Sequence, residues 1–86
     1  MKVYEIFEIN SIHNERCAIA LEYQTAIDYV LANTDNKIEG VKVNGEWCYD
    51  YNENSIRQPC DEIEIFGKCS GGYYFNGFLI KAVETI

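Results

Sequence analysis

Residues 38–51 have the sequence IEGVKVNGEWCYDY, and this stretch decides the fold. Its Asn-Gly pair at positions 44 and 45 lies between two runs rich in alternating apolar side chains. That combination is the strongest short-range signal for a hairpin with a two-residue turn. We therefore predict strands over 38–43 and 46–51, with Val43 opposite Glu46 and Lys42 opposite Trp47.

Strands are also predicted on both sides of this hairpin. Residues 2–9 are rich in Val, Tyr, Ile and Phe, and in residues 62–66 acidic and apolar side chains alternate up to Ile65, which Phe66 follows. A polar loop is expected over 52–59, and a glycine-rich break over 67–72. A second Asn-Gly pair, Asn76-Gly77, predicts another hairpin that joins residues 73–75 to residues 78–84.

The segment from Glu15 to Asn33 has two interpretations. In the first, it forms one long helix whose apolar stripe includes Ile19 and faces the core. In the second, residues 17–23 form a strand and the helix begins at Thr25, with Thr25 and Asp28 as a capping pair. The apolar stripe of the long helix consists of Ile19, Tyr23, Ile27, Val30 and Leu31.

The order of elements predicts a single α+β domain spanning residues 1–86, with one amphipathic helix packed on a bent, mostly antiparallel sheet of five or six strands. Both faces of the 38–51 hairpin carry apolar side chains, and one helix covers only one face of a sheet. Three covers are conceivable for the second face: the sheet curls towards a small barrel, two copies pack face to face, or another protein binds there.

Composition excludes several classes of function. Seven basic and fourteen acidic side chains give a net charge of −7, which disfavours direct binding of nucleic acid. A hydrophobic fraction of 48% disfavours disorder. No run is apolar enough to span a membrane, and residues 1–5 do not resemble a signal peptide, so we expect no membrane partner and a cytoplasmic location.

The four cysteines are Cys17, Cys48, Cys60 and Cys69. They contain no C-x-x-C pair, and their spacings are irregular, which is a poor zinc signature even with His13 nearby. Without an export signal, disulfides are also disfavoured. We expect four reduced thiols that pack as small core hydrophobes, and no metal site.

Acidic and aromatic residues form the candidate binding surface. Six acidic side chains lie within nineteen residues that hold one basic residue, Arg57. On a strand, Glu62 and Glu64 point the same way, about 7 Å apart, and with Asp50 and Glu53 they could form an acidic ridge. Aromatic side chains with polar groups are favoured at the centres of interfaces. The alternative is that Trp47, Tyr49 and Tyr51 form the core under the helix.

No catalytic motif is present, and we expect neither an enzyme nor a cofactor. The leading hypothesis is an acidic interaction module that inhibits or modulates a basic nucleic-acid-handling protein by mimicking nucleic acid. Phage-encoded inhibitors of nucleases and CRISPR effectors follow this general logic, which is an analogy only. A self-associating homodimer is the second hypothesis, and a small enzyme or cysteine-metal protein is the third. The predicted partner-binding residues are Glu46, Trp47, Tyr49, Asp50, Tyr51, Glu53, Asp61, Glu62, Glu64 and Tyr74.

Overall fold

Six antiparallel strands form one open sheet in the computed structural model, which describes residues 1–9, 14–34, 38–67 and 76–85. The strand order is β2-β1-β6-β5-β3-β4. This arrangement confirms the predicted α+β class. The elements in chain order are β1 (Lys2–Ile9), β2 (Asn14–Ala20), α1 (Tyr23–Asn33), β3 (Ile38–Val43), β4 (Glu46–Cys48), α2 (Glu53–Ile56), β5 (Glu62–Gly67) and β6 (Asn76–Glu84).

The core lies between the two helices and one face of the sheet. Ala26, Ile27 and Val30 of α1 are fully buried. They share one cluster with Ile65 of β5 and with Ile56, the buried residue of α2. The alternation of β5 places every second residue in this core, as its sequence predicts.

Hydrogen bonds join the two helices on this side of the sheet. The buried Tyr23 hydroxyl of α1 donates to the Ile56 carbonyl of α2 at 2.7 Å. Arg57, which follows α2, donates to Asp28 at 2.7 Å and to Gln24 at 3.1 Å. The hydrogen bond to Asp28 is the main reason that the pKa of Arg57 is raised. These contacts fix the short α2 against α1.

The predicted hairpin around residues 44 and 45 is confirmed. Asn44 and Gly45 have φ values of +50° and +83°, which a two-residue turn of type I′ requires at both positions. Val43 pairs with Glu46 and Lys42 pairs with Trp47, in the predicted register. The second strand ends at Cys48 and not at Tyr51, whose hydroxyl donates to the Ile38 carbonyl at 3.2 Å.

The long-helix interpretation is wrong. Residues 14–20 are β2, which pairs with β1, and Ile19 is 54% exposed and not buried. The alternative has the correct order, but the helix begins at Tyr23 and not at Thr25. Its N-cap residue is Glu22, which makes no side-chain capping hydrogen bond, so Thr25 and Asp28 do not cap it. Four members of the predicted stripe, Tyr23, Ile27, Val30 and Leu31, are buried on α1; Ile19 fits the same spacing but belongs to β2.

Two further predictions need correction. The predicted loop over 52–59 contains α2, because Asn52 and Ser55 form a capping box that the prediction overlooked. Asn76 and Gly77 lie inside β6 and not in a turn. Both edges of β6 are paired, with β1 and with β5. Residues 68–75 themselves lie outside the described residues.

Curling into a barrel, one of the three conceivable covers for the second face, is not observed in the described residues. In the described part of the chain, β2 and β4 remain separate edges of the sheet. Register shifts occur between Ile6 and Phe7 and between Ile38 and Gly40, but they do not bring these edges together. The second face of the sheet is therefore not enclosed by the sheet itself.

Alkaline pH should weaken the fold through Tyr23. Burial is the main cause that raises the pKa of this phenol, and neighbouring Cys60 raises it further. An unfolded tyrosine titrates near pH 10, so above that pH the unfolded state loses a proton that the native state keeps. The contribution of Tyr23 is thus complete below about pH 10 and decreases as the pH rises further.

We expect Tyr23→Phe to lose about 1–3 kcal/mol at pH 7, because the buried Ile56 carbonyl loses its donor. Above about pH 10, its free energy of unfolding should decrease less steeply than that of the wild type. Urea denaturation at pH 7 to 11 measures both effects. Equal slopes in the two proteins would contradict the role assigned to Tyr23.

Candidate protein-binding site

The sheet face opposite the helices is called the outer face here. Strand alternation and cross-strand pairing define it, because directly opposed residues share a face. Among the described residues, no helix packs on it. Its members are Val3, Glu5, Phe7, Ile9, Arg16, Ile19, Gly40, Lys42, Trp47, Glu62, Glu64, Phe66, Gly77, Leu79, Lys81 and Val83.

Two aromatic rings lie over two glycines on this face. A Cβ atom on Gly77 would lie 2.8 Å from the Phe66 ring, and one on Gly40 would lie 3.0 Å from the Trp47 ring. The two rings contact each other, with centroids 5.5 Å apart. The absence of a side chain on each glycine therefore lets both rings lie close to the sheet backbone. The rings cover backbone atoms that would otherwise be exposed at the glycines.

Trp47 remains 50% exposed in this arrangement. The Lys42 ammonium lies 4.8 Å from the centre of its ring, within the range of a cation–π interaction. Trp47 is on the edge strand β4, and the half-buried Phe66 is on β5. The result is a partly exposed aromatic pair at one side of an apolar face, the type of group that dominates binding energy at interfaces.

The positive and negative charges of the outer face are equal in number. It carries three acidic and three basic side chains, and two ion pairs are formed, Arg16 to Glu5 at 3.6 Å and Lys81 to Glu62 at 3.8 Å. Glu64 pairs in register with Lys42. The whole chain has fourteen acidic and seven basic side chains, so eleven acidic and four basic side chains lie outside the outer face. These residues account for the whole net charge of −7.

The predicted acidic ridge is divided between different parts of the structure. Glu62 and Glu64 do share one face, as predicted. Glu53 belongs instead to α2 on the helix side, where it forms an ion pair with Arg57 at 3.4 Å. Asp61 pairs with Lys2 at 3.6 Å, and Glu46 lies opposite Val43, on the core side of the hairpin. Asp50 is exposed and follows the end of β4, so it belongs to neither of these groups.

The predicted aromatic residues also separate. Trp47 is half-exposed on the outer face, and Tyr49 is 86% exposed, so the alternative that places them in the core under the helix is wrong for both. Tyr51 is half-buried and packs against the core. Tyr74 lies outside the described residues.

Cysteine placement matches the expectation in part. Cys48 and Cys60 are half-buried free thiols that pack against the core, and burial raises the pKa of Cys60. Cys17 is exposed at the register shift of β2, contrary to the expectation, and it accepts a hydrogen bond from Tyr29 at 3.7 Å. Within the described ranges, no three potential metal ligands cluster. Cys69 and His13 lie outside those ranges.

A cavity of about 300 Å³ opens between α1, α2 and the start of β3. Its polar side chains already have partners within the protein. Tyr51 donates to Ile38, Asn52 caps α2, and Glu53 pairs with Arg57. A ligand would have to displace these contacts, so the outer face is the stronger candidate site.

Comparison of the chain with protein-family models, with curated proteins and with solved structures found no match. In the described ranges, no helix has the length and apolarity needed to cross a membrane.

Sequence reasoning missed Gly40, Lys42, Phe66, Gly77 and Leu79 as parts of one surface. Their alternation within each strand was visible, but their proximity depends on which strands become neighbours. In particular, β6 lies between β1 and β5, and no local pattern indicates that order. The glycine in each of β3 and β6 was the available signal, because a glycine inside a strand often marks a close contact.

Alanine at Gly77 should destabilise the protein more than alanine at Gly40. At Gly77 the added methyl would also lie 3.0 Å from the Ile65 carbonyl oxygen, a backbone atom that cannot move freely. At Gly40 the only contact tighter than 3.4 Å is the half-exposed Trp47 ring, which can shift. We expect a loss of about 1–3 kcal/mol for Gly77→Ala, as for other overpacked sites.

Gly40→Ala should change stability by less, because the Trp47 ring can shift to relieve the contact, while both substitutions share the same gain from a less flexible unfolded chain. Chemical denaturation of both variants measures the difference. Equal losses, or a greater loss for Gly40→Ala, would contradict the described packing of Phe66 on Gly77.

Proposed function

We propose that the chain is a non-enzymatic protein-interaction module that binds through its outer face. One observation carries this proposal: an apolar sheet face with a 50% exposed tryptophan is left uncovered by the described residues. Antiparallel sheets with one solvated face carry mostly polar side chains on that face. Here the cross-strand partners Phe7 and Leu79, and Phe66 diagonal to Leu79, are only half-buried. Burial of these groups by a partner would supply the favourable free energy of binding.

Leu79 is the best position for testing the outer face. It is half-buried near the centre of the sheet and lies directly opposite Glu64. Leu79→Lys would place an ammonium beside that carboxylate, which the free protein can accommodate. A bound partner would have to bury this charge, so binding should weaken. Thr25→Lys is the matched control, because it adds the same charge at an exposed position of α1.

The experiment is affinity capture from a lysate of the source cells, supplemented with a second, differently tagged copy of the chain. We expect the wild type and Thr25→Lys to retain the same partner, and Leu79→Lys to lose most of it. Circular dichroism of the variants checks that all three are folded. Equal capture by the two lysine variants would show that the partner binds elsewhere.

The second candidate function is inhibition of a basic nucleic-acid-handling protein through the acidic side chains of this chain. One observation favours it: the whole net charge of −7 belongs to residues other than those of the outer face. Exposed acids such as Glu46, Asp50 and Glu53 would then meet a basic partner at the β4–α2 edge. Long-range attraction would speed this encounter and would be screened by salt.

Reversal of Asp50 and Glu53 to lysine tests this candidate. We expect the double variant to lose a captured basic protein at low salt, and the wild type to lose it as salt is raised to about 0.5 M, where the Debye length is below 5 Å. Leu79→Lys should leave this capture unchanged. Capture of a basic protein by the double variant at the wild-type level would contradict the acidic-inhibitor hypothesis.

A further inference from the structure

We propose that the partner of the outer face is the outer face of a second copy of this chain, so that two sheets pack together at the centre of a two-fold symmetric dimer. This inference rests on the proposed function and specifies its partner. The helices would lie on the outside, giving four layers in the order helix, sheet, sheet, helix. Sheets that pack face to face interdigitate their side chains about 10 Å apart.

Charge is the first argument for a second copy. The outer face holds three cations and three anions, whereas the whole chain has a net charge of −7. A strongly basic or acidic partner would gain little from a face without net charge. Two balanced faces can approach each other without net repulsion at the contact, and each cation can meet an acid of the other copy.

Symmetry supports the same partner. In a two-fold interface the same patch occurs on both sides, so the patch must be complementary to itself. A face that combines apolar side chains with equal numbers of cations and anions can satisfy this condition. Its apolar side chains include Phe7 and Leu79, which are cross-strand partners, and Phe66, which lies diagonally from Leu79 on the neighbouring strand β5.

Size is consistent with a dimer. Six strands spaced about 4.8 Å apart span roughly 24 Å, and eight residues at about 3.4 Å each span roughly 27 Å. The flat projection of the face is therefore about 650 Å², and its rough surface exposes more. A typical stable interface buries about 800 Å² on each partner.

The net charge also predicts the sign of the salt dependence. Two bodies of charge −7 repel each other at long range, and salt screens that repulsion. Dimerisation should therefore become tighter as salt is raised. Binding of a basic partner to the acidic remainder of the chain should become weaker under the same change.

The test is sedimentation velocity of the full chain from about 1 to about 200 µM, a range that covers micromolar dissociation constants, at low and at high salt. The chain has one tryptophan, Trp47, so its fluorescence reports directly on this face. We expect a shift from 9.9 kDa towards twice that mass as concentration rises. Over the same range, the Trp47 emission should move to shorter wavelength and its quenching by acrylamide should decrease.

Leu79→Lys should weaken dimerisation at least about tenfold, equivalent to about 1.4 kcal/mol, and Thr25→Lys should leave it unchanged. Ile19→Lys is a second outer-face variant whose side chain is already 54% exposed in the free protein, so it should fold even if Leu79→Lys does not. It too should weaken the dimer.

A monomer at every concentration and at both salt levels would overturn the dimer. So would a dimer that neither outer-face variant weakens, because it would use another surface. If the chain is monomeric but Leu79→Lys still abolishes capture of a different protein, the dimer is overturned and the proposed function remains. If neither a dimer nor such a captured protein is found, both are overturned.

Discussion

Every other feature of the structure depends on the position of β6 inside the sheet. This C-terminal strand is hydrogen-bonded along one edge to β1 and along the other to β5. It therefore joins the N-terminal pair of strands to the strands of the second half. Backbone groups at the edge of a strand need partners, and β6 supplies them to both neighbours at once.

Six strands joined through β6 use most of the described residues, so few of them remain to cover the two faces of the sheet. Helix α1, the longer of the two described helices, follows β2, and α2 packs beside it through Tyr23 and Arg57. The helices thus pack on one face of the sheet and form the core there, while the apolar side chains of the outer face remain half-buried. The two glycines in β3 and β6 belong to this second side, where they bring Trp47 and Phe66 close to the backbone.

The distribution of charge follows from the same division. Strand alternation places Glu62 and Glu64 on the outer face. There Glu62 lies opposite Lys81 of β6, and Glu64 lies opposite Lys42 of β3. The eleven acidic side chains outside the outer face are accompanied by only four basic side chains. A chain that is strongly acidic as a whole therefore has one face without net charge, and that face also carries the exposed Trp47 and Ile19. This coincidence makes the outer face suitable for association.

Local sequence determined the elements whose signal lies within a few residues. Strand β1, the turn at Asn44 and Gly45, and the alternation of β5 were all predictable, because turn chemistry and side-chain periodicity are local properties. The α+β class follows from these elements. Only the tertiary structure decided that residues 14–20 form a strand, that Asn76 and Gly77 lie within β6, and that Trp47 faces away from the core. These features depend on which strands become neighbours, and that choice is made by hydrogen bonds between residues distant in sequence.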